Sequence, residues 1–165
     1  MTTHIHVEPS RMSEFVLQNA LDRAKQEHEL LKEELQDIFG QVCAIRSGQD
    51  EIRLNRQIGQ LNDSVKHFMK HWGDHTSWED REFFPYASWY LGTEPDCFAL
   101  MEQEYELAEQ YIRAFLQELQ RSHIPIPREE ARRMASYLIQ AYAVLKNRFR
   151  EEEEVMEELT DRSNR

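Results

Sequence analysis

Apolar residues recur along this chain at alternating steps of three and four, the period of a helix that buries one face. From about Ser10 to Ser47, the positions Ala20, Ala24, His28, Leu31, Leu35, Ile38, Val42 and Ile45 fall on one stripe. From about Asp50 to Phe84, the same rhythm runs through Leu54, Ile58, Leu61, Val65, Phe68, Trp72, His75, Glu79 and Phe83. A third stripe, within about 94–122, carries Phe98, Met101, Tyr105, Ala108, Ile112, Phe115 and Leu119. A fourth, within about 127–160, carries Ala131, Ala135, Leu138, Tyr142, Leu145, Phe149, Glu152, Met156 and Leu159. Turn-forming residues separate them at RSGQD around Gly48, between Pro85 and Pro95, and at HIPIP from His123 to Pro127. Pro85 is expected to end the second helix, with YASWYLG forming a short helical turn before the third.

Helices of ~28–35 residues would be about 42–52 Å long. Short connections force neighbours to run antiparallel, so the pattern predicts an all-α, up-down-up-down four-helix bundle, read as one domain over residues 1–165. Five Gly and five Pro are few for this length, which suits long helices. The formal net charge of −11 repels phosphate backbones, so nucleic acid is not an expected partner. No apolar run approaches the ~18 residues of a membrane span, and the opening MTTHIHVEPS does not read as a secretory signal. No membrane partner and a cytoplasmic location are expected. Cys43 and Cys97 form no Cys-x-x-Cys pair and are read as buried, reduced thiols. His4 and His6 are read as a frayed terminus with at most weak chelation, and the three Trp residues as core or edge packing.

The chemistry lies in polar residues that occupy apolar positions. At about 100° per residue, His75 and Glu79 fall within about 60° of the centre of the second stripe, and His28 within about 40° of the first. His71 lies near the edge of the second stripe, and His67 points to the far side. A carboxylate buried in an apolar bundle needs a cation or hydrogen bonds beside it. A metal ion is one candidate, since two imidazoles and a carboxylate suit iron or another transition metal. Within the run Glu151 to Glu154, which spreads around the helix, Glu152 is the inward member and a further carboxylate. An inward His is more often a satisfied core residue than a ligand, and His-x-x-x-Glu alone occurs by chance.

The segment HWGDHTSWEDREFFP, containing His75, Glu79 and Asp80, resembles the second-helix signature of the hemerythrin-like (HHE) cation-binding family. QEHELLKEELQDI around His28 resembles the family's first helix, EQEYELAEQYI its third and LKNRFREEEEVM its fourth. The resemblance implies a bundle that commonly holds two irons through His from all four helices and bridging carboxylates from the second and fourth. It also implies binding or sensing of oxygen, or iron handling. By that correspondence His28 and His75 would serve one iron and Glu79 would bridge. The chain departs from the pattern: the third-helix His position holds Tyr105, and the fourth-helix position holds Arg148 or, one residue on, Phe149.

Two functions follow as expectations. One is a metal protein with a reduced or mononuclear iron site, using His28, His75 and Glu79, with Glu152, His71 and Tyr105 as further candidates, for oxygen, redox or iron sensing or binding. The other is a metal-free regulatory module for a protein partner, with Arg148 paired to Glu79 or Glu152 in place of the ion. A solvent-directed Arg148 is the simpler alternative. The chain has no Glu-x-x-His of ferritin-like oxidases, no His-Glu-x-x-His and no Gly-rich phosphate loop. Catalysis is therefore not the leading expectation, and a slow iron-dependent oxidation stays open.

Overall fold

The computed structural model describes residues 12–92 and 96–163. Four long helices carry the expected stripes: α1 (Met12–Ser47), α2 (Glu51–Trp78), α4 (Asp96–Arg121) and α5 (Arg128–Ser163). They form an up-down-up-down bundle in which α5 packs most extensively on α4 and α1, and α1 on α2. No helix among the described residues is long and apolar enough to cross a membrane. His4 and His6, and the side chains of Cys97, Phe98 and Met101, lie outside the described residues.

The stripes bury what their spacing requires. Leu54, Leu61, Ile45 and Ala108 are fully enclosed, together with Ile58, Val65, Phe68 and Phe115. The Asp50 side chain accepts the Ile52 N–H at 3.1 Å and so caps the start of α2. At the same end of the bundle, Asn55 clasps the loop between α4 and α5. Its Oδ1 accepts the Ile126 N–H at 2.7 Å, and its Nδ2 donates to the Ile126 carbonyl at 3.1 Å. That loop is thereby tied to α2, which helps to fix the relative heights of the helices.

The helical path does not end at Pro85. It passes from α2 through a π-helical segment, Glu79–Phe83, into a further helix, α3 (Phe84–Leu91). The Phe84 N–H bonds to the Glu79 carbonyl, five residues back. A proline inside an α-helix clashes with the carbonyl four residues before it. The wider π turn just ahead of Pro85 opens that register, so the chain carries the ring without breaking. The helix stops at Gly92, whose φ of 66° places it in the left-handed region.

The π segment also sets which faces are buried. Trp78, Glu79, Phe83 and Phe84 all point inward, which a regular 100° advance does not allow. The core consequently forms two apolar clusters. The larger runs from Ile45 and Leu54 up to Trp72, Tyr105 and Phe149, and the smaller gathers Leu17, Leu21, Trp78, Phe83, Phe84 and Met156. Two expectations are corrected. Cys43 is exposed, because it lies beside the stripe residue Val42 and not on the stripe. Trp89, on α3, is 61% exposed.

The contrast between the tryptophans is testable. Trp72→Ala, at a position 1% exposed, is expected to destabilise the fold by about 3–5 kcal/mol. Trp89→Ala should stay within about 0.5 kcal/mol of the parent. Urea denaturation of both variants checks this.

Candidate metal centre

Between the two apolar clusters lies a polar group in which His28, His75, Glu79, Arg148 and Glu152 are all buried. Helix spacing places them in pairs: His75 near the end of α2 and Glu79 at the start of the π segment are four residues apart, as are Arg148 and Glu152 on α5. His28 enters from α1 and Tyr105 from α4. One donor atom from each of His28, His75, Glu79 and Glu152 lies within 4.8 Å of the others.

The two oxygens of Glu152 divide the group into two sides. Oε2 meets His28 Nε2 in a short contact and lies 3.8 Å from His75 Nε2. Oε1 accepts from Arg148 Nε at 2.7 Å and from the Tyr105 hydroxyl at 2.8 Å. The same hydroxyl lies 2.6 Å from Glu79 Oε1, which is in turn 3.1 Å from His75 Nε2. The Arg148 guanidinium stacks over the Tyr105 ring at 3.5 Å. Phe149 is buried beside the imidazole side, its ring 5.0 Å from that of His28. Of the two residues considered for the fourth-helix position, Arg148 is the one that reaches a carboxylate.

A phenol has one proton to donate, so Tyr105 cannot give hydrogen bonds to two ionised carboxylates. Both short contacts are satisfied when Glu79 is protonated and donates to the phenol oxygen while the phenol donates to Glu152. The electrostatics agree. Burial, then repulsion from Glu152, pushes the Glu79 carboxyl up to about 8. Glu152 is also penalised by burial, yet His28, His75 and Arg148 hold it well below the usual carboxylate range. Desolvation alone would lower His75, but the Glu152 and Glu79 carboxylates that face its ring outweigh it and raise the ring to about 10. Burial and both carboxylates keep Tyr105 protonated.

Several atoms in this enclosed space have no hydrogen-bond partner: His75 Nε2, Glu79 Oε2, His28 Nδ1 and both terminal nitrogens of Arg148. His75 is oriented from behind by Glu27, whose carboxylate lies 3.4 Å from Nδ1. Since a carboxylate only accepts, Nδ1 carries the proton in that contact and the Nε2 face turns toward Glu79 and Glu152, an outer-partner arrangement typical of metal-binding histidines. Glu27 was not singled out from sequence. Its signal is its position beside His28 on α1, one turn from Arg23, and that gives no direction. A cleft of about 620 Å³ between α1 and α5 reaches His28 and is lined by Lys25, Lys32, Glu153 and Asp161 among others. Lys32 and Glu153 form an ion pair at 2.7 Å along it.

Of the residues singled out from sequence, the structure brings together His28, His75, Glu79, Glu152, Tyr105 and Arg148. It does not bring in His71, whose ring lies on the surface 2.6 Å from Glu34. A stripe-edge position on α2 faces the α1–α2 seam here and not the bundle axis. Arg148 is 1% exposed, so it does not reach solvent.

A family model described as Hemerythrin HHE cation binding domain matches residues 19–160. No curated protein and no solved structure matches the chain.

Two tests follow from the geometry. Arg148→Met leaves Glu152 buried with one cation fewer and is expected to destabilise the metal-free protein by roughly 3–5 kcal/mol in chemical denaturation. The second is pH dependence. The His75 contribution is complete below 6.5 and is lost as pH rises through about 10. Glu79 takes up a proton on folding between 4.5 and about 8, so its contribution also falls with rising pH. Glu152, with a depressed value, stabilises above 4.5 and loses its contribution only well below that. Metal-free protein should therefore lose stability steadily as pH rises from neutrality toward 10, and His75→Gln should flatten that slope.

Proposed function

The chain belongs to the hemerythrin HHE cation-binding family, and from that premise we propose that His28, His75, Glu79 and Glu152 hold a single iron ion in a mononuclear site that senses or binds oxygen or redox state. The observation that carries this reading is the convergence of four buried donor side chains within 4.8 Å, three of them with an unpartnered atom, His75 Nε2, Glu79 Oε2 and His28 Nδ1. Two imidazoles and two carboxylates suit iron, and they leave coordination positions open. Such an ion supplies one-electron redox chemistry and affinity for oxygen when bound.

The chain's own residues define the rest. His75 and Glu79 must release their protons to act as ligands, so affinity rises with pH. Glu27 holds the His75 ring with Nε2 inward. Glu152 offers Oε2 to the imidazole side while Arg148 and Tyr105 engage Oε1. Arg148 thus places a fixed positive charge on the side where the family pattern would put a second set of imidazoles, which is why one ion is proposed and not two. Trp72, Trp78 and Phe149 wall the group off from water. The cleft between α1 and α5 that reaches His28 gives the approach for an ion or a small diatomic ligand.

The Arg148–Glu152 bond at 2.7 Å favours one second reading. The group is closed by protons and a guanidinium alone, and the bundle serves as a metal-free regulatory module for a protein partner. Elemental analysis of untagged protein purified anaerobically separates the two. The iron reading expects about one ion per chain, lost in His75→Ala and bound more tightly as pH rises. Tyr105→His combined with Arg148→His supplies two further imidazoles beside Glu79 and Glu152, and iron should then rise toward about two per chain. Absence of iron from the parent at every pH, with iron supplied, leaves the metal-free module. A folded double variant that gains no iron over an iron-binding parent rejects the view that Arg148 and Tyr105 stand in for a second ion.

A further inference from the structure

Among the described residues, a second group of metal-binding side chains converges on the surface seam between α1 and α2, apart from the buried group. His67 and His71 stand four residues apart on one face of α2, with ring centroids 4.3 Å apart. Glu34 of α1 faces both. Its Oε1 lies 2.6 Å from His71 Nδ1 and 3.5 Å from His67 Nε2. Its other oxygen is shielded from solvent and has no hydrogen-bond partner. One ligand atom from each of the three lies within 4.8 Å of the others.

We propose that Glu34, His67 and His71 form a second, solvent-open site for a divalent first-row transition ion that prefers imidazole, zinc being the probe of choice. A surface His–carboxylate hydrogen bond accounts for His71 and Glu34 alone. It does not account for a second imidazole directed at the same oxygen, or for the unpartnered Oε2 behind it. Two imidazoles on successive turns of a helix can grip one ion from one side, and a carboxylate from the facing helix closes the other. Three protein ligands leave a fourth position for water. Magnesium and calcium prefer all-oxygen sets, so a two-nitrogen, one-oxygen site selects against them. Because its ligands come from both helices, a bound ion clamps α1 to α2 about one helical turn from His75. The proposal is independent of what the buried group holds.

The side chains of His67 and His71 are 63% and 44% exposed, so replacing them leaves the core untouched. The full-length, untagged protein is stripped with a chelator and titrated with Zn2+ by calorimetry, with thermal unfolding recorded with and without the ion. His67→Ala/His71→Ala is expected to remove one class of zinc site and the zinc-dependent rise in Tm that goes with it. The loss of affinity should exceed the roughly 10–100-fold that removal of an outer-shell partner causes. Glu34→Gln should weaken the same class. His75→Ala should leave it in place, which separates this site from the buried one. In that His75→Ala background, Co2+ should give visible bands that disappear on adding His67→Ala. Equal zinc stoichiometry and affinity in the parent and a folded double variant overturns the proposal, as does the absence of zinc binding in the parent.

Discussion

Two carboxylates fully removed from water at the centre of an apolar bundle are the constraint on which the rest of this structure turns. Glu79 and Glu152 are both 0% exposed. The penalty for burying one unpaired carboxylate is several kcal/mol, comparable to the whole stability of many domains. Every other polar side chain in the group addresses that penalty. Glu152 stays ionised because His28, His75 and Arg148 surround it. Glu79 lacks a comparable set and escapes the penalty by holding a proton up to about pH 8. Tyr105 links the two, donating to one and accepting from the other. The apolar clusters above and below exclude the water that would otherwise screen these charges.

The two sides of Glu152 differ in what can change. On the Oε1 side the positive charge belongs to a guanidinium, which does not deprotonate in proteins and cannot leave. On the Oε2 side it resides on the His75 ring, whose protons exchange with solvent and compete with a metal for the same nitrogen. The group is thus half fixed and half exchangeable. A chain with imidazoles on both sides would carry two exchangeable halves. Replacing one by Arg148 holds the carboxylate in place whatever occupies the other.

Much of the fold was legible because long amphipathic helices repeat their signal many times. Seven to nine stripe positions per helix outweigh any single exception, and the inward His28, His75, Glu79 and Glu152 stood out against that background. The exceptions trace to local geometry that a constant 100° advance cannot represent. The π segment at Glu79–Phe83 changes the register where the site is built, which carries the chain past Pro85 and turns both Phe83 and Phe84 inward. His71 sits at a stripe edge, where a small rotation decides between the bundle axis and the seam. Glu27 acts through a contact to another helix, which depends on the relative height of α1 and α2 and leaves no trace in spacing. Cys43 and Trp89 were assigned from residue type, and neither lies on a stripe.

The same geometry bears on how far the fold depends on an ion. Where a metal is the only compensation for buried ligands, removing it strands their charges and the domain unfolds. Here α2 with its π-helical continuation, and α5, each contribute a cation and a carboxylate four residues apart, His75 with Glu79 and Arg148 with Glu152, so each brings part of its own neutralisation into the core. Asn55 ties α2 to the loop leading into α5, which helps hold the two pairs at matching heights without help from the centre. Proton occupancy of His75 and Glu79 then completes the balance. An ion entering this group would replace protons within an assembled bundle and not assemble the bundle itself. Its binding would register as proton release and a shift in the short hydrogen bonds around Glu152, a local change that α1, α2 and α5 all touch.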